Sequence, residues 1–437
     1  MGYHTVVRTR RIAFRVHLKR YGVATFGPRA ATTLERRQFV QSMEGMGERL
    51  RTLRKLHDLT QRELAGLAGV SLSLISKVEA GQRPGTWDLA IGVARALHVD
   101  AVALLGQSAE ISGGDGRIAA ALPGLRRSMA MYDFPPDSPD VPRPIAALAD
   151  AVELAAAHRA AARYVQLGEA LPSLIVELTQ AAHGATSADQ ERAFWLLAVA
   201  YRCADALAFK VGEMDLSTTA IDRIRWAAER SGDPLMVGTA AYVRGQTYLV
   251  TGAFDSGLRA LTAASAGIER QAAANPRAAA VYGALHMRAA VLAARGHKAD
   301  EAWSHIEIAK AMSAVVGDDV EWYYTSFGPS NVRIHEVAVA VELGDEREAL
   351  ARAGDWIPSN AIPAERISHH LIDLARAQLW AADYPGALDS LLQARRVAPQ
   401  HTRNHPMAVE TARTLLHREQ RRTDTAVGLA TWLGIKI

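Results

Sequence analysis

One cysteine, Cys203, stands among 437 residues, so the chain can close no internal disulfide and offers no cysteine metal site. That scarcity fits a reducing compartment, and a cytoplasmic protein is expected. Cys203 lies in the run FWLLAVAYRCADAL and reads as a small buried core residue. No apolar stretch reaches the ~18 residues a membrane span needs, so no membrane partner is expected. Catalytic motifs are missing as well. There is no G-x-S-x-G, no H-E-x-x-H and no plausible Cys–His nucleophile, and GGDG at 113–116 lacks the strand–helix context of a phosphate loop. No catalytic residue is assigned, no enzyme is expected and no cofactor is called for. No segment alternates as a strand over a useful length, which leaves an all-α chain.

What is present is an ordinary globular composition, 49% hydrophobic and 22% charged, with many alanine-rich runs. Alanine loses no side-chain entropy in a helix and is the best helix former. The net charge of +4 hides an asymmetry. Residues 1–42 hold nine Lys/Arg and one Glu, residues 43–106 eight basic and seven acidic, and the remainder 33 basic and 38 acidic. The basic balance is therefore mostly a property of the first 42 residues. Three readings of that extension compete: a disordered basic arm, a transit peptide, or a start of translation at Met43 or Met46. The last is favoured, because the first recognisable helix begins just after Met46.

Residues 43–106 carry five short helical segments. Leu50, Leu53 and Leu56 recur at helical spacing, and Thr60 with Glu63 forms a capping box ahead of a second helix ending at Gly69. Ser71 caps a third helix closed by Gly81, Thr86–Leu97 is a fourth and Asp100–Leu105 a fifth. Residues 107–144 read as a linker with a proline-rich end, DFPPDSPDVPRP, around a short piece that can dock as a helix. Residues 145–437 read as helix after helix. Weak internal repeats appear at Gly245, Tyr248, Gly252, Phe254, Gly257 and Ala264, and again at Ala375, Tyr384, Ala387, Ala394 and Pro399. Stacked helix pairs of this kind bury a continuous core behind a concave face.

The stretch TQRELAGLAGVSLSLISKVEAGQRP resembles the second and third helices of the Xre/lambda-repressor-like helix-turn-helix family, without a gap. The resemblance implies a five-helix DNA-binding domain whose third helix enters the major groove of double-stranded DNA. It places Ser71, Leu72, Ser73, Ser76 and Lys77 at base edges, and Gln61, Arg62, Gln82 and Arg83 at phosphates. It also implies that Arg54 and Glu79 are a buried structural ion pair. A homodimer on an inverted-repeat operator is the expected state. Residues 47–437 together resemble actinobacterial regulators that join such a domain to a TPR-like α-solenoid. The telling stretches are GALHMRAAVLAARG, SFGPSNVRIHEVAVAVELGD and PAERISHHLIDLARAQLW. That likeness implies regulation by a small-molecule or peptide effector.

Polar residues out of place for plain helix packing mark where an effector would sit. Tyr324, Asn331, Arg333, Arg366, His369 and Asp373 are the candidates, with the arginines for an anionic group and Asn331 for an amide. Singly, each reads as an inter-helix salt bridge or a cap. Ser330 or Asn331 is expected to cap the helix after the Gly-Pro turn. The histidines call for no metal: His369 and His370 face apart, and His401 and His405 lack a third ligand by spacing. The competing reading is a TPR-type protein-interaction adaptor with secondary or no DNA binding. A long open groove would favour the adaptor, and a closed pocket would favour a small effector.

Overall fold

The computed structural model describes residues 45–97, 99, 101, 104, 116–135, 141–184, 188–359, 362–418 and 423–435. The readings of residues 1–42 lie outside these, as does most of the expected fifth helix. Of that helix, Ala101 and Leu104 are described, and both are helical and buried.

Among the described residues the chain is helical throughout, with one isolated β-bridge between Val320 and Phe327. The first four helices are α1 (Met46–Leu56), α2 (Gln61–Ala68), α3 (Leu72–Glu79) and α4 (Trp87–Leu97). Then come α5 (Gly116–Ala130), α6 (Ile145–Ala160), α7 (Tyr164–Gly184), α8 (Ala188–Lys210) and α9 (Met214–Arg230). The middle of the body is α10 (Pro234–Thr251), α11 (Phe254–Ala266), α12 (Glu269–Ala272), α13 (Pro276–Arg295) and α14 (Ala299–Val316). A 3-10 turn, Trp322–Tyr324, precedes α15 (Pro329–Leu343), α16 (Glu346–Ala353), α17 (Ala364–Trp380) and α18 (Tyr384–Val397). The last are α19 (Pro399–Asn404), α20 (Pro406–Arg418) and α21 (Asp424–Trp432).

Local chemistry fixes the first turns. The Thr60 hydroxyl accepts from the Glu63 backbone N–H, and the Glu63 carboxylate accepts from the Thr60 N–H, so the capping box is complete. Ser71 accepts from Leu74 N–H at 3.1 Å and starts α3. Gly69 ends α2 with a φ of 70°, a left-handed conformation that favours glycine.

In the body, successive helices pack against each other, most extensively α13 with α14, α8 with α9 and α17 with α18. The two weak repeats fall on the pairs α10–α11 and α17–α18. A side chain at Gly257 would put its Cβ 2.8 Å from that of Tyr248, so the small residue sets how closely α11 approaches α10. The middle of the stretch read as a linker is α5, and it packs on α7 through buried Ile118, Leu122, Leu125 and Met129. Of the proline-rich end, residues 136–140 lie outside the described residues.

The first four helices do not stand apart from the rest. Their core residues Leu50, Leu64, Ile75 and Leu97 belong to one buried cluster with Leu371, Leu391 and Leu415 of the body. The Met46 N–H donates to Glu410 at 3.0 Å, and the Arg418 guanidinium donates to the Gln82 carbonyl at 3.1 Å. Ile91 of α4 fills the space a Cβ would take at Gly252, whose φ of 73° also ends α10. His297 pairs with Asp88 at 3.2 Å.

Candidate functional sites: a helix-turn-helix face and a charged cavity

Glu79 ties α1, α2 and α3 together. Arg54 donates to both of its carboxylate oxygens at 2.6 and 2.8 Å, and the Gln61 amide adds a bond at 2.8 Å. Burial alone would raise the Glu79 pKa, but the hydrogen bonds from Arg54 and Gln61, with the charges of Arg54 and Arg51, outweigh it and hold it below the usual carboxylate range. Arg54 and Glu79 thus pair as the resemblance implied. The Gln61 side-chain amide donates inward to Glu79, and its backbone N–H stands at the helix start, where a phosphate can meet it.

The outer side of the motif is open. Arg62, Ser71, Leu72, Ser73, Ser76, Lys77, Gln82 and Arg83 are all exposed. Ile75 and Val78 point into the core instead, so α3 is amphipathic, with its polar face turned to solvent. Past its C-terminal end, Arg83 lies 5.8 Å from the Trp380 ring.

A second site lies inside the body. A cavity of about 200 Å³ is lined by residues of α4, α6, α8, α10, α13, α15, α17, α19 and α20. Its lining includes seven cations, Arg159, Arg202, Lys210, Arg288, Arg295, Arg366 and Arg376, and four carboxylates, Asp205, Glu342, Glu365 and Asp373. Trp87 of α4 forms part of the wall.

Three carboxylates serve one side. Glu342 pairs with Arg295 at 3.0 Å and with Arg376 at 3.3 Å, Asp373 pairs with Arg376 at 2.9 Å, and Glu365 pairs with Lys210 at 3.0 Å. Asp205 accepts from the Ser217 hydroxyl at 2.6 Å. Burial raises Asp205 and Asp373 to about 6 each, against the pull of their polar neighbours. On the other side, Arg366 donates to the Tyr242 hydroxyl at 3.0 Å, and Arg202 donates to the Tyr324 carbonyl at 2.8 Å. Arg288 lies over the Tyr242 ring, 4.5 Å from its centre. The stem of Arg288 runs where a Cβ at Gly245 would be, 2.6 Å from its Cγ.

The six effector candidates divide. Arg366, His369 and Asp373 line the cavity, whereas Tyr324, Asn331 and Arg333 do not. The Tyr324 hydroxyl donates to Glu153, and its carbonyl accepts from Arg202 of the cavity wall. The Asn331 amide donates to the Ser326 carbonyl. Arg333 donates to the Arg352 and Ala353 carbonyls and stacks on Trp356, 4.9 Å away, so its charge is spent on a helix C-terminus. Neither Ser330 nor Asn331 caps α15; the Asp319 carboxylate accepts from the Ser330 N–H at 3.0 Å instead.

The reading that His401 and His405 lack a third partner is corrected. His369, from α17, joins them, with ligand atoms of the three within 4.8 Å of one another. Sequence spacing concealed this because α19 and α20 fold back beside α17. Lys210 Nζ stands 2.8 Å from His369 Nε2 and 3.1 Å from His401 Nε2, with Glu365 beside it. The His401 Nδ1 faces Ser368 Oγ at 2.9 Å, which leaves Nε2 as the acceptor toward Lys210. These imidazoles are the set that could hold a divalent cation, and an ammonium ion already takes two of their lone pairs. Burial, then the Lys210 charge, keeps His369 and His401 well below the usual histidine range and therefore neutral. His370 faces the other way, edge-on to Trp356.

Arg159, Arg202, Lys210, Asp205 and Arg295 were not singled out from the sequence. Their signal was a charged residue inside an apolar helical run, as in FWLLAVAYRCADALAFK, where Arg202, Asp205 and Lys210 share one face of α8. Cys203, on the neighbouring face, is fully buried, and burial pushes its thiol up to about 11.

No helix among the described residues is long and apolar enough to cross a membrane. No curated protein and no solved structure matches the chain. A family model described as a helix-turn-helix domain matches residues 46–105, so this part of the chain is a helix-turn-helix domain, a fold that binds DNA.

Proposed function

We propose that the protein is a sequence-specific DNA-binding transcription regulator of the Xre/lambda-repressor-like kind. In this reading it works in the cytoplasm as a homodimer on an inverted repeat, and its TPR-like body senses a small effector in the charged cavity. The observation that carries the DNA-binding part is the open face of α3. Leu72, Ser73, Ser76 and Lys77 are exposed on a helix whose other face is locked by Glu79, Ile75 and Val78. Lysine can reach guanine acceptors, serine several bases, and leucine a thymine methyl. Arg62, Gln82 and Arg83 flank them as phosphate contacts.

The sensing part rests on the cavity. About 200 Å³ is less than the 300–1,000 Å³ typical of drug-sized ligand sites, which suits a compact molecule better than a protein segment. Trp87 belongs both to the helix-turn-helix domain and to the cavity wall, so an occupant has a direct contact through which to favour one pose of the reader.

The test is binding of the full chain to genomic fragments at fixed, stated salt, compared with a Ser73→Ala, Lys77→Ala variant. Enrichment of an inverted repeat by the wild type and a drop of about tenfold or more in the variant is the expected result. Equal enrichment by both at low and physiological salt would remove sequence-specific binding through α3.

A further inference from the structure

The cavity contains more positive charge than its own carboxylates can balance. Glu342, Asp373 and Glu365 serve Arg295, Arg376 and Lys210, and Asp205, bonded to Ser217, lends its charge to Arg202, Arg288 and Lys210 without an ion-pair contact. Arg159, Arg202, Arg288 and Arg366 are left with weaker partners. Arg159 is only 3% exposed, its Nε and Nη2 make no hydrogen bond, and its nearest acid, the solvent-exposed Glu321, is 3.6 Å away. Arg288 has a buried Nε without a partner and no ion pair among the described residues. Buried cations left this way are costly, because desolvation is not repaid by an opposite charge.

We propose that the cavity binds a compact oxyanion, a phosphate- or carboxylate-bearing dianion, held by Arg159, Arg288 and Arg366. This deepens the reading of the cavity as the effector site and rests on it. Guanidinium forks match such oxygens in pairs, and these charge-assisted bonds are among the strongest available. A dianion brings the lining of seven cations and four carboxylates close to neutral.

Tyr242 supplies the anion-free state with a substitute. Burial would raise its phenol, but the Arg366, Arg288 and Arg202 guanidiniums outweigh burial and bring it to about 7. Near neutral pH part of the protein holds a phenolate there as an internal counter-ion. An arriving dianion takes over that role, so the phenol's pKa rises and Tyr242 takes up a proton from solvent. Anion binding and the loss of tyrosinate are therefore coupled.

The experiment uses the full chain without DNA. Inorganic phosphate and malonate are titrated separately, each against chloride at matched ionic strength and slightly above neutral pH. Melting temperature and near-ultraviolet tyrosinate absorbance are followed. At least one anion is expected to raise the melting temperature and lower the tyrosinate signal, and the stronger of the two separates phosphate from carboxylate recognition. Arg288→Met is expected to bind about tenfold or more weakly, yet to melt no lower than wild type without anion, because a buried cation with no ion-pair contact is gone. Arg159→Met repeats the test from a different helix, and Tyr242→Phe should keep binding while losing the absorbance change. No shift beyond chloride with either anion, or an undiminished response in both arginine variants, overturns the proposal, as does an anion-free Arg288→Met that melts lower than wild type. DNA affinity is then measured with and without the anion. Unchanged affinity beside intact anion binding overturns the sensing role and leaves the site standing.

Discussion

Glu79 accepts from two side chains and lies 3.7 Å from a third, Arg51, while its own side chain is almost wholly buried. Replacing it with glutamine leaves Arg54 short of a counter-charge in a closed site. Glu79→Gln is expected to cost about 3 kcal/mol at neutral pH, read by denaturant unfolding. The pH dependence follows from the sign of the shift. A carboxylate held below its unfolded value contributes stability that is complete above roughly pH 4–5 and lost as pH falls through the lower folded value. The gap between variant and wild type should therefore shrink on acidification, and a gap that stays constant would contradict the pairing. At the same scale, Lys210 Nζ contacts His369 and His401, two of three histidines whose nitrogens lie close enough to share a metal ion. Lys210→Met should let His369, His401 and His405 bind cobalt(II) with a tetrahedral visible spectrum, which the wild type should lack. An equal spectrum from both would show that the ammonium does not guard the site.

At the scale of elements, the caps were legible because their chemistry is local. Thr60, Glu63 and Ser71 act within three residues of themselves, so a pattern of residue types was enough to place the starts of α2 and α3. Thr60→Ala is expected to cost about 1 kcal/mol in thermal or denaturant unfolding, through the loss of the box. The repeats around Tyr248 and Gly257 were legible for the same reason, since α10 and α11 are neighbours in sequence. Arg333 was misplaced because its partners, the carbonyls at the end of α16, give no signal at its own position. Three of the six effector candidates stand at the cavity because the polar face of α17 could be read within one helix. The other arginines arrive from α6, α8 and α13, and no single-helix pattern joins them. His369 meets His401 across 31 intervening positions, which spacing rules cannot anticipate.

At the scale of the molecule, the expected boundary between a reader and a body is not a boundary in packing. Met46 and Arg49 reach Glu410, Arg418 reaches Gln82, and one apolar cluster spans both parts. The sequence reading separated them because composition changes near residue 107, whereas burial depends on which faces meet. The two parts should therefore unfold together in a single calorimetric transition with coincident probes. Two resolved transitions would contradict the shared core.

Trp87 stands with one side in the helix that supports the DNA reader and the other in the wall of the charged cavity. Coupling through such a residue has no preferred direction, since the free energy linking two binding events is common to both. Whatever factor a bound anion imposes on affinity for the operator, the operator must impose on affinity for the anion. If the proposed anion and operator sites are coupled in this way, a molecule seated on its target would retain or release its ligand differently from one adrift in the cell, and the chromosome would itself act as an effector of the cavity.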